Sequence, residues 1–123
     1  MKTIDDLIFN GTTGFIGEYA RHYDLGVLDD EGYSILKYKD GMQYKQHHDC
    51  GPKFASRVVS MLIYLNDDYV GGELEFPYLG IKHKPSAGDI ILFPSNYTFS
   101  HIAHPVTDGT KYCIVTWMGY GNK

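Results

Sequence analysis

From residue 33 onward the chain is a succession of short apolar and aromatic runs, most of them closed by glycine, proline, asparagine or aspartate. The runs are YSILKYK (33–39), YKQHHD (44–49), SRVVSMLIYLN (56–66), GELEFPY (72–78), IKHK (81–84), DIILFPS (89–95), SHIAHPVT (100–107) and KYCIVTWMGY (111–120). Several are rich in β-branched and aromatic residues, which suit a pleated, half-buried surface, and each is read as a strand. The junctions KDG, NDD, GG, SAGD and TDG hold residues that turn the backbone at little steric cost. The glycines of GGELEF and SAGD are read as turn positions where a positive φ is needed.

Ahead of these strands the pattern changes. TTGFIGEYARHYD places Phe15, Ile16, Tyr19 and Tyr23 at helical spacing, with Thr12 or Thr13 available as N-cap. One short helix over 13–23 is predicted. A helix followed by eight strands implies a mainly β protein of two facing antiparallel sheets, a jelly-roll-like double-stranded β-helix. At this level a plain sandwich looks the same. No repeat, low-complexity tract or linker interrupts the pattern, so residues 1–123 are read as one domain with its motif-bearing core at about 33–120.

Composition narrows the function classes. A 43% hydrophobic and 15% aromatic chain is globular, and a net charge of −4 offers no basic stripe for DNA or RNA. No stretch approaches the ~20 apolar residues of a membrane span. The opening MKTIDDLIFNG carries acids where a secretory leader needs an apolar run. A cytoplasmic setting is therefore expected, with Cys50 and Cys113 as reduced thiols. Oligomeric state is left open by the pattern.

Chemistry enters at YKQHHDC (44–50). In an extended strand the side chains at 47 and 49 share one face and those at 48 and 50 the other, so His47 and Asp49 can reach a single ion. A third ligand must come from elsewhere, and FSHIAHPV offers His101 and His104. Two histidines and one carboxylate form the facial triad of mononuclear non-haem iron sites, which leaves coordination positions open. A lone H-x-D also arises by chance on surface strands; the full order of H-x-D, further strands, then His before PV…G-x-K is what gives it weight.

That order resembles the Fe(II)- and 2-oxoglutarate-dependent dioxygenases, in the branch that includes the prolyl 4-hydroxylases. The matching stretches are YKDGMQYKQHHD, RVVSMLIYLNDDYVGGELEFP, KPSAGDIILFPS and HIAHPVTDGTKYCIVTW, spanning residues 38–117. The resemblance implies His47, Asp49 and His101 as iron ligands, His101 being the histidine four residues before Pro105. His104, His48 and Cys50 are then neighbours without a role. It further implies that Lys111 anchors the distal carboxylate of 2-oxoglutarate, with Tyr38 and Tyr64 beside the co-substrate. Trp117 has the strand parity of Lys111, which fits a pocket wall and core packing nearly equally. Arg57 opens its strand as in the family and is assigned no catalytic role.

By the same resemblance the expected cofactors are Fe(II), 2-oxoglutarate and O₂, and ascorbate is a candidate further one. The expected reaction is hydroxylation of an unactivated C–H bond coupled to oxidative decarboxylation of 2-oxoglutarate. Retention of Asp49 favours hydroxylation over the halogenation seen in relatives that lack the carboxylate. The substrate implied first is a prolyl residue in a peptide or protein, with a free amino acid or a residue of a translation protein as alternatives. The loop 66–72 and the segment before Tyr38 are expected to form its groove. Competing readings are a non-catalytic β-helix module that binds a metal or small acid, and a cupin-type enzyme using another ion.

Overall fold

A computed structural model describes residues 3–120. It contains a helix α1 (Ile4–His22) and eleven strands: β1 (Asp29–Asp30), β2 (Ser34–Tyr38), β3 (Tyr44–His47), β4 (Val59–Tyr64), β5 (Val70–Gly71), β6 (Leu74–Phe76), β7 (Ile81–His83), β8 (Ile90–Pro94), β9 (His101–Ala103), β10 (Val106–Asp108) and β11 (Lys111–Gly119). Two short 3-10 turns, Pro77–Leu79 and Tyr97–Phe99, follow β6 and β8.

The fold is the expected double-stranded β-helix. In the larger sheet β11 lies centrally, with β4 and then β8 on one side and β1 and β2 along the other. The smaller sheet runs β3-β9-β6-β7, and β5 pairs with β10 alongside. All of these pairings are antiparallel. Strand alternation divides β4: Val59 and Met61 join Met118 under Ile16 and Tyr19 of α1. Leu62 and Tyr64 face the other way, into the space between the sheets. There they meet Leu74, Phe76 and Phe93 on one side and Tyr38, Val106 and Cys113 on the other.

The helix starts nine residues earlier than the apolar spacing predicts. Its N-cap is Thr3, whose hydroxyl accepts from Asp6 N at 3.1 Å while the Asp6 carboxylate accepts from Thr3 N at 3.2 Å. This reciprocal capping box satisfies two otherwise unpaired donors. Thr12 and Thr13, expected at the cap, lie mid-helix and donate back to the carbonyls of Ile8 and Phe9. The run 100–107 is also two strands. Gly72 N donates to Pro105 O at 3.0 Å and His104 N to Glu73 O at 2.9 Å, which turns the chain from β9 to β10.

Both cysteines are free thiols. Among the described residues no helix is long and apolar enough to cross a membrane.

Candidate metal and co-substrate site

The H-x-D segment is only half a strand. β3 ends at His47, and Asp49 sits in the following bend. Asp49 N and Cys50 N both donate to Ser95 O, at 3.0 and 2.9 Å, which draws the chain off the β3–β9 ladder. The approach of His47 and Asp49 therefore comes from this turn and not from simple strand alternation. His48 is left exposed, and the Cys50 thiol is directed to Ala55 O at 3.8 Å.

His101 opens β9 directly opposite His47. Nε2 of His47 lies 3.4 Å from Asp49 Oδ1, and Nε2 of His101 lies 3.6 Å from the same oxygen. One ligand atom from each residue falls within 4.8 Å of the others, the spacing a single ion requires. The other ring nitrogens are engaged with backbone carbonyls, His47 Nδ1 with Lys45 O at 2.7 Å and His101 Nδ1 with Phe99 O at 2.9 Å. A neutral imidazole that donates from Nδ1 presents its Nε2 lone pair, which is how a metal-binding histidine is oriented. His104 is directed elsewhere, with Nε2 2.7 Å from Glu75 Oε1.

Electrostatics suit a cation here. Burial works to raise the Asp49 carboxyl, but hydrogen bonds from His47 and Ser60 and the nearby charge of His101 outweigh it and hold the group at about 2. The Trp117 indole N–H adds to this lowering from outside hydrogen-bonding geometry and has no partner among the described residues. Burial is the largest influence on His101 and lowers it overall. At His47 burial also acts to lower, yet the bonds to Asp49 and to the Lys45 carbonyl raise the group overall.

Lys111 is 2% exposed. Its Nζ makes one long contact, 3.4 Å to Gly72 O, and stands 4.3 Å from the Tyr38 ring centroid and 5.9 Å from that of Tyr64. No carboxylate among the described residues forms an ion pair with it. Burial, with Lys84 adding in the same sense, pushes the ammonium below its ordinary range. A buried ammonium with two unused N–H donors is a site for an anion.

The triad and Lys111 open onto one cavity of about 330 Å³ between the sheets. Tyr38, Tyr64 and Trp117 all line it, as strand parity and the resemblance lead one to expect. Arg57, left without a role at the level of sequence, also forms part of its wall. Its guanidinium lies between the rings of Phe54 (3.8 Å) and Trp117 (3.6 Å) and pairs with Glu31 at 2.7 Å. The strand pattern does not distinguish Tyr44, Ser60 and Cys113 as site residues. Tyr44 stacks on His47 at 3.8 Å between centroids, Ser60 bonds Asp49, and Cys113 lines the cavity. The only signal for Ser60 is a hydroxyl on the strand face it shares with Tyr64. Ser34 and Leu36, before Tyr38, lie in the wall, but the loop 66–72 does not. That loop is tied to its own surroundings, with Asn66 bonded to Thr110 O and Tyr112 N and Tyr69 buried in the core.

Comparison with known proteins agrees with this geometry. Residues 33–119 match the model of the 2OG-Fe(II) oxygenase superfamily, and the chain belongs to that family. Over 116 residues it is 33% identical to the probable prolyl 4-hydroxylase 9 of Arabidopsis thaliana, a match covering 72% of this chain and 40% of that protein. The chain thus spans well under half the length of this curated relative. Among solved structures, the viral collagen prolyl hydroxylase of Paramecium bursaria Chlorella virus-1, in complex with 2OG, superposes with a TM-score of 0.81 at 22% identity. That superposition covers 99% of this chain and 78% of the viral one. A Pseudomonas putida prolyl-4-hydroxylase gives 0.81 at 23% identity, covering 99% and 68%.

Proposed function

We propose that the chain is an Fe(II)- and 2-oxoglutarate-dependent hydroxylase acting on a prolyl residue of a peptide or protein. His47, Asp49 and His101 hold the iron through Nε2, Oδ1 and Nε2, and the Lys111 ammonium binds the distal carboxylate of 2-oxoglutarate. The single observation that carries this reading is the buried, nearly unpartnered Lys111 opening onto the same cavity as three convergent metal-ligating atoms. A module that merely held a metal would have no use for a cation desolvated at that place.

The residues fit the implied group. The donor set of two imidazoles and one carboxylate suits iron and leaves facial positions open. Iron held there supplies O₂ activation coupled to oxidative decarboxylation of 2-oxoglutarate to succinate and CO₂. The chain itself contributes orientation and dryness. Carbonyls 45 and 99 fix both imidazoles, and Tyr38 and Tyr64 pack beside the Lys111 ammonium with their hydroxyls raised by burial, Tyr38 to about 12 and Tyr64 further. Both therefore remain neutral, able to donate to a carboxylate beside Lys111. Trp117 and the stacked Arg57 close the cavity with a flat aromatic wall, a surface suited to a proline ring. A carboxylate at position 49 occupies the place a halide would need, so hydroxylation is the outcome.

The names of the relatives support a prolyl substrate, and the test is direct. Iron-loaded protein with ascorbate should form succinate from 2-oxoglutarate and add one oxygen atom to proline-containing peptides, read by mass spectrometry. Succinate formation with hydroxylation of a free amino acid and of no peptide would overturn the substrate class. Iron binding without any succinate would overturn the catalytic reading.

A further inference from the structure

Asp49 turns one oxygen to the imidazoles and buries the other. Oδ2 accepts from Ser60 Oγ at 2.6 Å, and Ser60 Oγ lies 2.8 Å from Ser95 Oγ. Both serines are shut away from solvent, at 0% and 1% exposure. An ionised carboxylate only accepts, so the one Ser60 proton goes to Oδ2 and Ser95 must be the donor in the second bond. The order is fixed: Ser95 donates to Ser60, and Ser60 donates to Asp49.

Ser95 is also the backbone anchor of the turn. Its carbonyl accepts from Asp49 N and Cys50 N, and its own N–H donates to Val58 O at 3.0 Å. Ser60 lies on β4 directly opposite Phe93 of β8 and Trp117 of β11, in otherwise apolar surroundings. A hydroxyl so placed carries a desolvation cost unless it is bonded, and an alanine there would carry none.

Resting on the ligand assignment above, we infer that Ser60 and Ser95 are positioning residues, a buried hydroxyl relay that commits Asp49 to bind metal through Oδ1 alone. The bond at Oδ2 holds the carboxylate with Oδ1 toward the imidazoles and disfavours closure of both oxygens onto one ion. The relay also removes the rotational freedom of a side chain that lies outside any strand. Outer partners of this kind are typically worth about 10–100-fold in metal affinity.

The test is Mn(II) binding to the metal-free full chain by titration calorimetry, alongside thermal unfolding of the metal-free protein. Ser60→Ala should unfold cooperatively yet bind Mn(II) about 10–100-fold more weakly, and Ser60→Thr, which keeps the hydroxyl, should recover most of that loss. Ser95→Ala leaves the Ser60–Asp49 bond and should show a smaller loss in the same direction; it carries the test if Ser60→Ala fails to fold. Wild-type affinity in both folded alanine variants, or in folded Ser95→Ala where Ser60→Ala does not fold, would overturn the relay while leaving the ligands assigned. Wild-type Mn(II) binding that persists in Asp49→Ala would instead remove the ligand assignment itself.

Discussion

His47 and His101 face each other across the antiparallel β3–β9 pair, their ring centroids 4.4 Å apart and their planes tilted by 58°. The two strands use the same local device, each ring Nδ1 meeting the carbonyl two residues earlier. Register therefore does the work of bringing the two imidazoles together. A slip of one residue would turn one ring to the opposite face and dismantle the pair.

Removing any one of the three convergent groups should accordingly end turnover. In Asp49→Ala and His101→Ala, succinate formation from 2-oxoglutarate is expected to fall to the level without enzyme, measured with excess Fe(II) and ascorbate. Undiminished succinate from either variant would strike that residue from the ligand set.

Lys111 stands opposite Tyr38 in the β2–β11 ladder, so the proposed co-substrate anchor and its aromatic neighbour are fixed by one strand pairing. Loss of a charge-assisted bond is worth about 1.5–3 kcal/mol, so Lys111→Ala should bind 2-oxoglutarate about 10–100-fold more weakly. Metal affinity should not change. Competition binding at fixed Mn(II) reads both.

The same lysine sets a pH dependence. Only the ammonium form binds a carboxylate, and burial has lowered its pKa below the ordinary 10.5. Affinity for 2-oxoglutarate should therefore decline as pH rises through that lowered value, earlier than an exposed lysine would dictate. Lys111→Arg keeps its charge and should lose this alkaline limb. A wild-type affinity flat up to the ordinary lysine range would contradict the lowering.

Two glycines make opposite predictions for stability. Gly71 has φ +81°, and an added Cβ would lie 2.2 Å from Pro105 O, beside the crossing that leads β9 into β10. Gly71→Ala should destabilise by roughly 2 kcal/mol or more and lower Tm by several degrees. Gly14, inside α1, has nothing within 4 Å of such a Cβ. Gly14→Ala should stabilise by about 0.5–1 kcal/mol. Thermal unfolding of the two variants checks both signs.

How much of this was legible depends on the range of the interactions involved. β4, β8 and β11 announce themselves because alternation and β-branched residues are local properties. The parity of Lys111, Trp117, Tyr64 and Ser60 follows from the same regularity. The start of α1 was hidden because its signal is polar, a Thr3–Asp6 box, and not an apolar stripe. Strand pattern suggested that Asp49 continues β3; in fact contacts from Ser95, far along the chain, bend it away. The split at His104–Pro105 likewise depends on Gly72 and Glu73. Arg57, Tyr44 and Phe54 are ordinary in sequence and become part of the site only when β3, β4 and β11 are brought together. The loop 66–72, rich in turn residues, looked free to hold substrate but is consumed in bonds to Thr110 and Tyr112 and in burying Tyr69.

Anaerobic titration of the metal-free chain with Fe(II), followed by 2-oxoglutarate, reads the whole site through the charge-transfer absorption of a chelated keto acid on iron. The band should saturate at one co-substrate per chain, be missing in Asp49→Ala, and demand far more 2-oxoglutarate in Lys111→Ala. A wild-type chain that develops no band, or variants that develop it as wild type does, would contradict the assignment of these residues.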